Sequence, residues 1–114
     1  MPDCVFCKIR DGEVPAKFEY RDEHTMVFHD LNPVAPHHLL VVPNKCIRSV
    51  NEVDDEAAQE LGYMFAAAAR VARQLGFEQE GYRCVVNTGR GAGQIVMHLH
   101  MHLLAGRLLE WPPG

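Results

Sequence analysis

Histidine and apolar residues alternate along a predicted strand at residues 96–104, which reads Val-Met-His-Leu-His-Met-His-Leu-Leu. Successive side chains of a strand point to opposite faces, so His98, His100 and His102 share one face. The apolar residues between them share the other face, which we expect to pack against a helix.

Apolar side chains at three- and four-residue spacing predict one long helix in the middle of the chain. Asp54 or Asp55 provides the N-cap, and Gly76 ends the helix directly after Leu75. The apolar stripe comprises Leu61, Met64, Phe65, Ala68, Val71 or Ala72, and Leu75.

The remaining pattern predicts a short N-terminal helix over Val5–Arg10 and several extended stretches. These stretches outnumber the helices and mostly lie next to one another in sequence, which favours an α+β fold. We therefore expect an antiparallel sheet of about five strands with the long helix packed on it. The extended stretches are residues 17–20, 25–29, 38–42, 82–87 and 96–104.

The 114 residues are 47% hydrophobic and 23% charged, with a formal net charge of −4. This composition is typical of one globular domain spanning residues 1–114, and we find no repeat or linker. No apolar stretch approaches the roughly 18 residues of a membrane span, and no signal peptide is visible. We expect a cytoplasmic protein with no membrane partner, and its mild acidity argues against nucleic-acid binding.

The chain has four cysteines, at positions 4, 7, 46 and 84. Without a secretion signal, disulfide bonds are not expected. The Cys4-x-x-Cys7 pair is compatible with metal-binding, redox or structural roles. Cys84 lies in an apolar stretch and is predicted to be a small buried hydrophobe.

The histidine face favours catalysis over metal binding by the three rings alone. Two histidines at i and i+2 can ligate one ion, but three rings along a straight strand span about 13 Å and cannot easily all reach it. The alternative is a half-buried strand whose histidines are structural. That alternative desolvates three titratable rings together, which is unfavourable without a function.

Two further features accompany the histidines. Residues 87–94, Asn-Thr-Gly-Arg-Gly-Ala-Gly-Gln, form a glycine-rich loop whose amides are able to cradle an anion. A strand follows it, so it is not a P-loop, and a flexible hairpin loop is the alternative. Asp30 follows a strand and is placed to accept two ribose hydroxyls, although a solvated turn is the alternative.

These motifs resemble the histidine-triad (HIT) family, whose signature is His-φ-His-φ-His-φ-φ, matched by residues 98–104. The similarity covers nearly the whole chain, including Phe28-His29-Asp30-Leu31, Ala35-Pro36-His37-His38 and Gly93-Gln94. The ending, from Gly106-Arg107 to Trp111-Pro112-Pro113-Gly114, resembles the Hint branch. Members of that branch are homodimeric purine nucleoside phosphoramidases with a HIT-like fold.

The resemblance implies roles for the triad and its surroundings. His100 attacks the α-phosphorus of an adenosine or guanosine monophosphoramidate and forms a nucleotidyl-histidine, which water then hydrolyses. His102, with amides near Gly93 and Gln94, holds the phosphate oxygens, and Asn87 adds a polar contact. His98 completes the triad, and His38 supports it from the neighbouring strand. No cofactor is required for this chemistry.

The resemblance also implies how the nucleoside binds and how two chains associate. Asp30 accepts the ribose hydroxyls, and the purine slot is lined by Phe6, Ile9, Phe28 and Leu31. The sheet is expected to extend across a homodimer. The tail at residues 105–114 is expected to reach towards the partner subunit, where Trp111 helps to select the leaving group.

The sequence departs from the Hint pattern at several positions. Ile95 stands where many members have a serine that contacts the phosphate or helps to protonate the amine, and Met97 replaces a common tyrosine. Bacterial members of the wider family hold structural zinc at positions equivalent to Cys4, Cys7, Cys46 and His98. Most Hint-branch proteins lack zinc, so a metal-bound and a metal-free protein both remain open.

Two other functions fit the resemblance less well. A dinucleotide polyphosphate hydrolase belongs to another branch, and the tail ending in Trp111-Pro112-Pro113-Gly114 argues against it. A nucleotide-binding regulatory module would not need the nucleophile His100.

Overall fold

The computed structural model describes residues 4–114. It contains two α-helices, five strands and two short 3₁₀ turns, the turns lying at Val50–Glu52 and Arg90–Ala92. In chain order the main elements are α1 (Val5–Arg10), β1 (Phe18–Arg21), β2 (Thr25–His29), β3 (His37–Pro43), α2 (Ala58–Leu75), β4 (Arg83–Val85) and β5 (Met101–Ala105).

The strands form one sheet in the order β1-β2-β3-β5-β4, and every neighbouring pair is antiparallel. The predicted α+β class, with a five-stranded antiparallel sheet, a long helix and a short N-terminal helix, is confirmed. The C-terminal strand β5 is central because it pairs with β3 on one side and β4 on the other.

The two faces of the sheet are covered by different helices. Val27, Leu39 and Val41 point into a core shared with α2, whose buried side chains include Met64. The alternate positions of the same strands, such as Phe28 and Leu40, form a second cluster with α1. Because side chains alternate between the two faces of a strand, one face of the sheet packs against α2 and the other against α1.

The N-cap of helix α2 is Ala57, two to three residues later than predicted, and the helix ends as predicted at Leu75 with Gly76 as its C-cap. Asp54 still receives a capping bond, because its Oδ1 accepts from the Ala57 amide at 2.9 Å, but this closes a turn ahead of the helix. Gly76 has φ of +81°, the left-handed conformation that favours glycine at a helix C-terminus.

The predicted strands at 82–87 and 96–104 are both too long. β4 keeps only Arg83–Val85 and is half-buried at the sheet edge, where Cys84 still packs against the α2 core. β5 begins at Met101 because residues 96–98 bend and the Leu99 amide donates to the Ile47 carbonyl at 2.6 Å, outside the sheet. Leu99, like Met101, is nevertheless buried against α2.

Within residues 4–114, no helix is both long and apolar enough to cross a membrane.

Candidate active site

A cleft of about 490 Å³ lies on the α1 side of the sheet. It brings together most of the residues predicted to bind substrate, although they come from five separate parts of the chain. The predicted residues that line it are Phe6, Ile9, Phe28, Asp30, Leu31, Asn87, Gly93, His100 and His102. One end of the cleft is therefore apolar, and the other carries imidazole, carboxylate and amide groups.

His100 has a defined tautomer. Its Nδ1 lies 2.7 Å from the His98 carbonyl oxygen, which can only accept, so Nδ1 carries the proton. In the neutral ring the other nitrogen, Nε2, then holds a free lone pair. The ring is 8% exposed, and the edge-to-face contact with Phe6, at 5.1 Å between centroids, limits its rotation. A single lone pair in a cleft is what a nucleophilic imidazole needs.

The rings of His38 and His102 are hydrogen-bonded to each other, an arrangement we name the relay. One backbone amide determines which nitrogen of each ring carries the proton. The Val34 N–H donates to His38 Nδ1 at 3.1 Å, so the neutral His38 ring carries its proton on Nε2. That Nε2 is 2.9 Å from His102 Nδ1, which must accept. The proton of a neutral His102 ring is therefore on Nε2, which makes that atom a hydrogen-bond donor.

Burial keeps these two rings neutral. It lowers the pKa of His38, although the Asp30 carboxylate, 3.4 Å from Nε2, acts in the opposite direction. Burial also lowers the pKa of His102, and the neighbouring rings of His100 and His38 lower it further. The relay geometry requires neutral rings, so these pKa shifts support it at neutral pH.

Asp30 is fixed at the end of β2 with one oxygen turned back to the chain. Its Oδ1 accepts from the Asn32 amide at 2.7 Å, and its Oδ2 faces His38. The carboxylate lines the cleft together with Phe28, and Asp30 directly follows the last residue of β2.

The Gly93 and Gln94 amides of the glycine-rich loop, predicted to hold phosphate, make hydrogen bonds within the loop. The Gly93 amide donates to the Arg90 carbonyl and the Gln94 amide to the Gly89 carbonyl, at 3.0 and 3.1 Å. Both amides are thus used inside the loop in this conformation. A phosphate would have to share them or displace these bonds.

Gln94 does not line the cleft. Its side chain is buried, and its Oε1 accepts from the Gly89 amide at 2.9 Å. Its Nε2 donates to the carbonyls of Arg48 and Val96. In this structure the Gln94 side chain stabilises the loop.

His98 is fully buried and does not line the cleft either. Its Nε2 donates to the Pro43 carbonyl at 2.9 Å, so Nδ1 carries the lone pair. Nδ1 faces the thiols of Cys4 and Cys7 at 3.1 and 3.6 Å. Burial lowers the pKa of His98, which keeps the ring neutral.

Cys4, Cys7, Cys46 and His98 form a four-donor cluster whose ligand atoms all lie within 4.8 Å of one another. An ideal tetrahedral zinc site with Zn–S of about 2.3 Å and Zn–N of about 2.0 Å places its donors about 3.5–3.8 Å apart. The cluster matches that set in donor type and approximate spacing. The bond from His98 Nε2 to a carbonyl is the second contact that metal-bound histidines usually make.

The thiols of the cluster perturb one another. Burial raises the pKa of Cys7 to about 12, with further contributions from the Cys4 and Cys46 thiols. Burial acts in the same direction on Cys4, but hydrogen bonds from Cys7, Cys46 and backbone amides outweigh it and lower the pKa of Cys4. Cys4 is also the N-cap of α1, where its Sγ accepts from the Cys7 amide.

Two predicted residues lie outside the enclosed part of the cleft. Trp111 is 80% exposed on the tail and does not line the cleft of its own chain. Ile95 lines the cleft but is 89% exposed, which places an apolar side chain at its rim.

Sequence reasoning missed the main-chain groups of the site: the Val34 amide and the carbonyls of His98 and Pro43. Every residue has such groups, so the sequence contains no signal that distinguishes these three.

Several known proteins are similar to this chain in both sequence and fold. The family described as "HIT domain" matches residues 11–109. A purine nucleoside phosphoramidase of Escherichia coli (strain K12) is 45% identical over 107 residues, which cover 94% of this chain and 90% of that protein. An uncharacterized HIT-like protein of Synechococcus elongatus is 45% identical over 112 residues, which cover 98% of this chain and 97% of that protein.

Two solved structures show the same fold over almost the whole chain. A HIT family hydrolase from Legionella pneumophila Philadelphia 1 has a TM-score of 0.95 and 43% identity, covering 98% of this chain and 100% of that one. A histidine triad protein from Clostridium difficile has a TM-score of 0.94 and 42% identity, covering 96% of each chain.

Proposed function

Because this chain belongs to the HIT domain family and is similar to hydrolases of that family, we propose that it is a purine nucleoside phosphoramidase. It hydrolyses the P–N bond of adenosine or guanosine 5′-monophosphoramidates and releases the nucleoside monophosphate and an amine. The observation that carries the proposal is the fixed tautomer of His100, whose Nδ1–H bond to the His98 carbonyl leaves Nε2 free to attack.

In the first step, the Nε2 lone pair of His100 attacks phosphorus, the bond from phosphorus to the amine breaks, and the leaving nitrogen takes a proton from solvent. The Nδ1–H bond to the His98 carbonyl stabilises the positive charge that the ring acquires. The protonated Nε2 of His102, on the neighbouring ring at 5.2 Å between centroids, donates to a phosphoryl oxygen. Water then attacks the phosphorus of the nucleotidyl-histidine, the bond from phosphorus to His100 Nε2 breaks, and the water proton returns to solvent.

The cleft supports the assignment of the substrate parts. The purine occupies the slot formed by Phe6, Ile9, Phe28 and Leu31, and Asp30 accepts hydrogen bonds from the ribose hydroxyls. Asn87 contacts the phosphate, which lies between the histidines and the glycine-rich loop. The Gly93 and Gln94 amides join that contact when their bonds inside the loop open.

A covalent adduct provides the direct test. After brief exposure to an adenosine phosphoramidate, mass spectrometry should find the nucleotidyl group on His100. The variant His100→Ala should lose nearly all turnover while still binding adenosine monophosphate. Wild-type kcat in His100→Ala, together with loss of kcat in His102→Ala, would move the nucleophile to His102.

The same assay separates the alternatives. Faster turnover of a dinucleotide polyphosphate than of the phosphoramidate would identify a dinucleotide polyphosphate hydrolase. Binding of adenosine monophosphate with neither turnover nor adduct would identify a nucleotide-binding regulatory module.

We propose that Cys4, Cys7, Cys46 and His98 hold one structural zinc ion, on the evidence of their donor types and spacing. Bound there, zinc would cross-link α1 to the loop after β3 and to the segment before β5, and would take no part in the reaction. Elemental analysis of protein purified without chelator or metal-affinity resin should find about one zinc per chain. A metal-free, fully active protein with four titratable thiols would reject the site.

We propose a homodimer that extends the sheet. β4 ends the sheet of one chain, and Tyr82 just before it is 37% exposed, while Phe65 on α2 is 54% exposed. Pairing across a two-fold axis would cover this edge. A cytoplasmic location and a tail directed towards the partner stay predictions.

A further inference from the structure

The end of β3 and the loop after it contact residues that flank the phosphate end of the cleft. Residues 43–48, which we name the bracing segment, accept three hydrogen bonds from residues 94, 98 and 99 through their carbonyls. The Pro43 carbonyl accepts from His98 Nε2, and the Ile47 carbonyl accepts from the Leu99 amide. The Arg48 carbonyl accepts from Gln94 Nε2, at 2.8 Å. The position of this segment therefore affects the start of the triad and the glycine-rich loop together.

The bracing segment is itself held by side chains of other elements. Arg10 of α1 donates to the Asn44 carbonyl at 2.8 Å. Lys45 forms an ion pair with Glu60, whose side chain is almost fully buried at the start of α2. The segment also carries Cys46, the exposed member of the four-donor cluster.

A second connection runs through His98 alone. The His98 ring joins the cluster through Nδ1, and its carbonyl two residues before His100 accepts the Nδ1–H of that ring. The Nε2 of the His98 ring also donates to the Pro43 carbonyl of the bracing segment. Any change in the cluster that moves His98 therefore moves the atom that determines the tautomer of His100.

We propose that metal binding at this cluster positions the nucleophile, because it fixes the His98 carbonyl against His100 Nδ1. His98 and Cys46 are thus positioning residues for catalysis and make no contact with the substrate. The inference rests on the zinc site and the phosphoramidase activity proposed above. Without the ion, Cys46 is joined to Cys4 and Cys7 by thiol hydrogen bonds alone, so the bracing segment is held less firmly than by shared metal ligation. The His100 ring can then redistribute between two neutral tautomers, of which only one has its lone pair on Nε2.

The test compares three variants of the full chain. Cys46→Ser removes an exposed ligand, so we expect it to fold, and Cys46→His restores a nitrogen ligand. Cys84→Ala is the matched control, since Cys84 is a free cysteine in β4 outside the cluster. Wild-type protein stripped with a chelator and then reloaded with zinc provides the same comparison without substitution.

Each protein is measured in four ways. Elemental analysis gives zinc per chain, and ¹⁵N NMR of labelled histidine gives the tautomer of His100. Calorimetry gives the Kd for adenosine monophosphate, and kinetics with an adenosine phosphoramidate separates kcat from KM.

We expect zinc-free Cys46→Ser and stripped wild-type protein to show mixed tautomers of His100. Their kcat should fall by about tenfold, as for other lost contacts around a metal site, while the Kd for adenosine monophosphate changes less than about twofold. Cys46→His and reloaded wild-type protein should recover both zinc and the Nδ1–H tautomer, and Cys84→Ala should behave as wild type throughout.

A zinc-free protein that keeps a single Nδ1–H tautomer would overturn the proposal, and so would wild-type protein that binds no zinc. If the phosphoramidase activity itself is wrong, zinc-loaded wild-type protein will not hydrolyse the phosphoramidate. The tautomer of His100 would still respond to zinc, so the two failures are distinguishable.

Discussion

The proton positions on three histidines determine what the site can do, and main-chain groups set all three. The Val34 amide, the His98 carbonyl and the Pro43 carbonyl each fix one ring nitrogen. The alternation of residues 98–102 was enough to predict that the histidines belong together. The position of His98 behind the cleft could not be predicted from it, because alternation gives the face of a side chain and not its neighbours.

Asp30 gives a test of ribose recognition at the level of one residue. Its carboxylate lines the cleft beside the purine slot, and a charge-assisted hydrogen bond contributes about 1.5–3 kcal/mol. Asp30→Ala should therefore weaken adenosine monophosphate binding by about tenfold or more in calorimetry. Binding of the 2′,3′-dideoxy analogue should be unaffected by the substitution. An equal loss for both ligands would exclude Asp30 from the ribose contact.

The lowered pKa of His38 makes the free energy of unfolding depend on pH. Burial lowers its pKa in the folded state, so below about pH 6.5 the unfolded chain binds more protons than the folded one. The unfolding free energy should therefore be highest above pH 6.5 and fall as the pH drops towards the lowered pKa. Urea unfolding of His38→Gln between pH 7.5 and 5.5 should show a shallower fall than wild type, by at most about 1.4 kcal/mol per pH unit. An equal slope in both proteins would contradict the assignment.

At the level of elements, the sequence predicted the regular parts well and the loops poorly. Helix α2 and strands β1 to β3 have strong periodicity and agree with prediction to within a few residues. The bracing segment has no periodicity, yet its carbonyls hold the start of the triad. The bend at residues 96–98 follows from those contacts with a distant part of the chain, so a local pattern could not reveal it.

The end of β5 depends on a glycine. Gly106 has φ of +98°, and a Cβ built there would lie 2.7 Å from the Pro36 Cβ. Gly106→Ala should reduce the unfolding free energy by about 1–3 kcal/mol. Gly62, inside α2 with nothing within 4 Å of a built Cβ, is the control, and Gly62→Ala should stabilise by about 0.5–1 kcal/mol. Urea denaturation checks both, and equal changes would show that the contact with Pro36 is unimportant.

At the scale of the whole molecule, the tail is held against the sheet edge while its tryptophan stays exposed. Arg83 of β4 donates to the carbonyls of Leu109 and Glu110, at 3.1 and 3.0 Å. Trp111 then projects into solvent from a single chain. The sequence indicated that this tryptophan needs a docking surface, but a surface on a second chain lies beyond what one chain's pattern specifies.

Removal of residues 109–114 tests the role of the tail. We expect a dimer in sedimentation, because β4 and α2 form the proposed contact and both remain. The ranking of phosphoramidate substrates should change more than the Kd for adenosine monophosphate, since the tail is expected to contact the leaving group. Trp111→Ala should reproduce the effect with Arg83 still bound to the tail. A monomer, or an unaltered ranking, would contradict this role.

The strand order also determines when the sheet can be completed during synthesis of the chain. β5 is the last strand made, yet it occupies an interior position between β3 and β4. Until it emerges from the ribosome, β3 has an open edge, and β4 has no partner in its own chain. The nascent protein can assemble its first three strands with α2 early, but it has neither the complete sheet nor the histidines at positions 98, 100 and 102. We expect this interval to be the time when chaperones protect the chain from edge-to-edge aggregation.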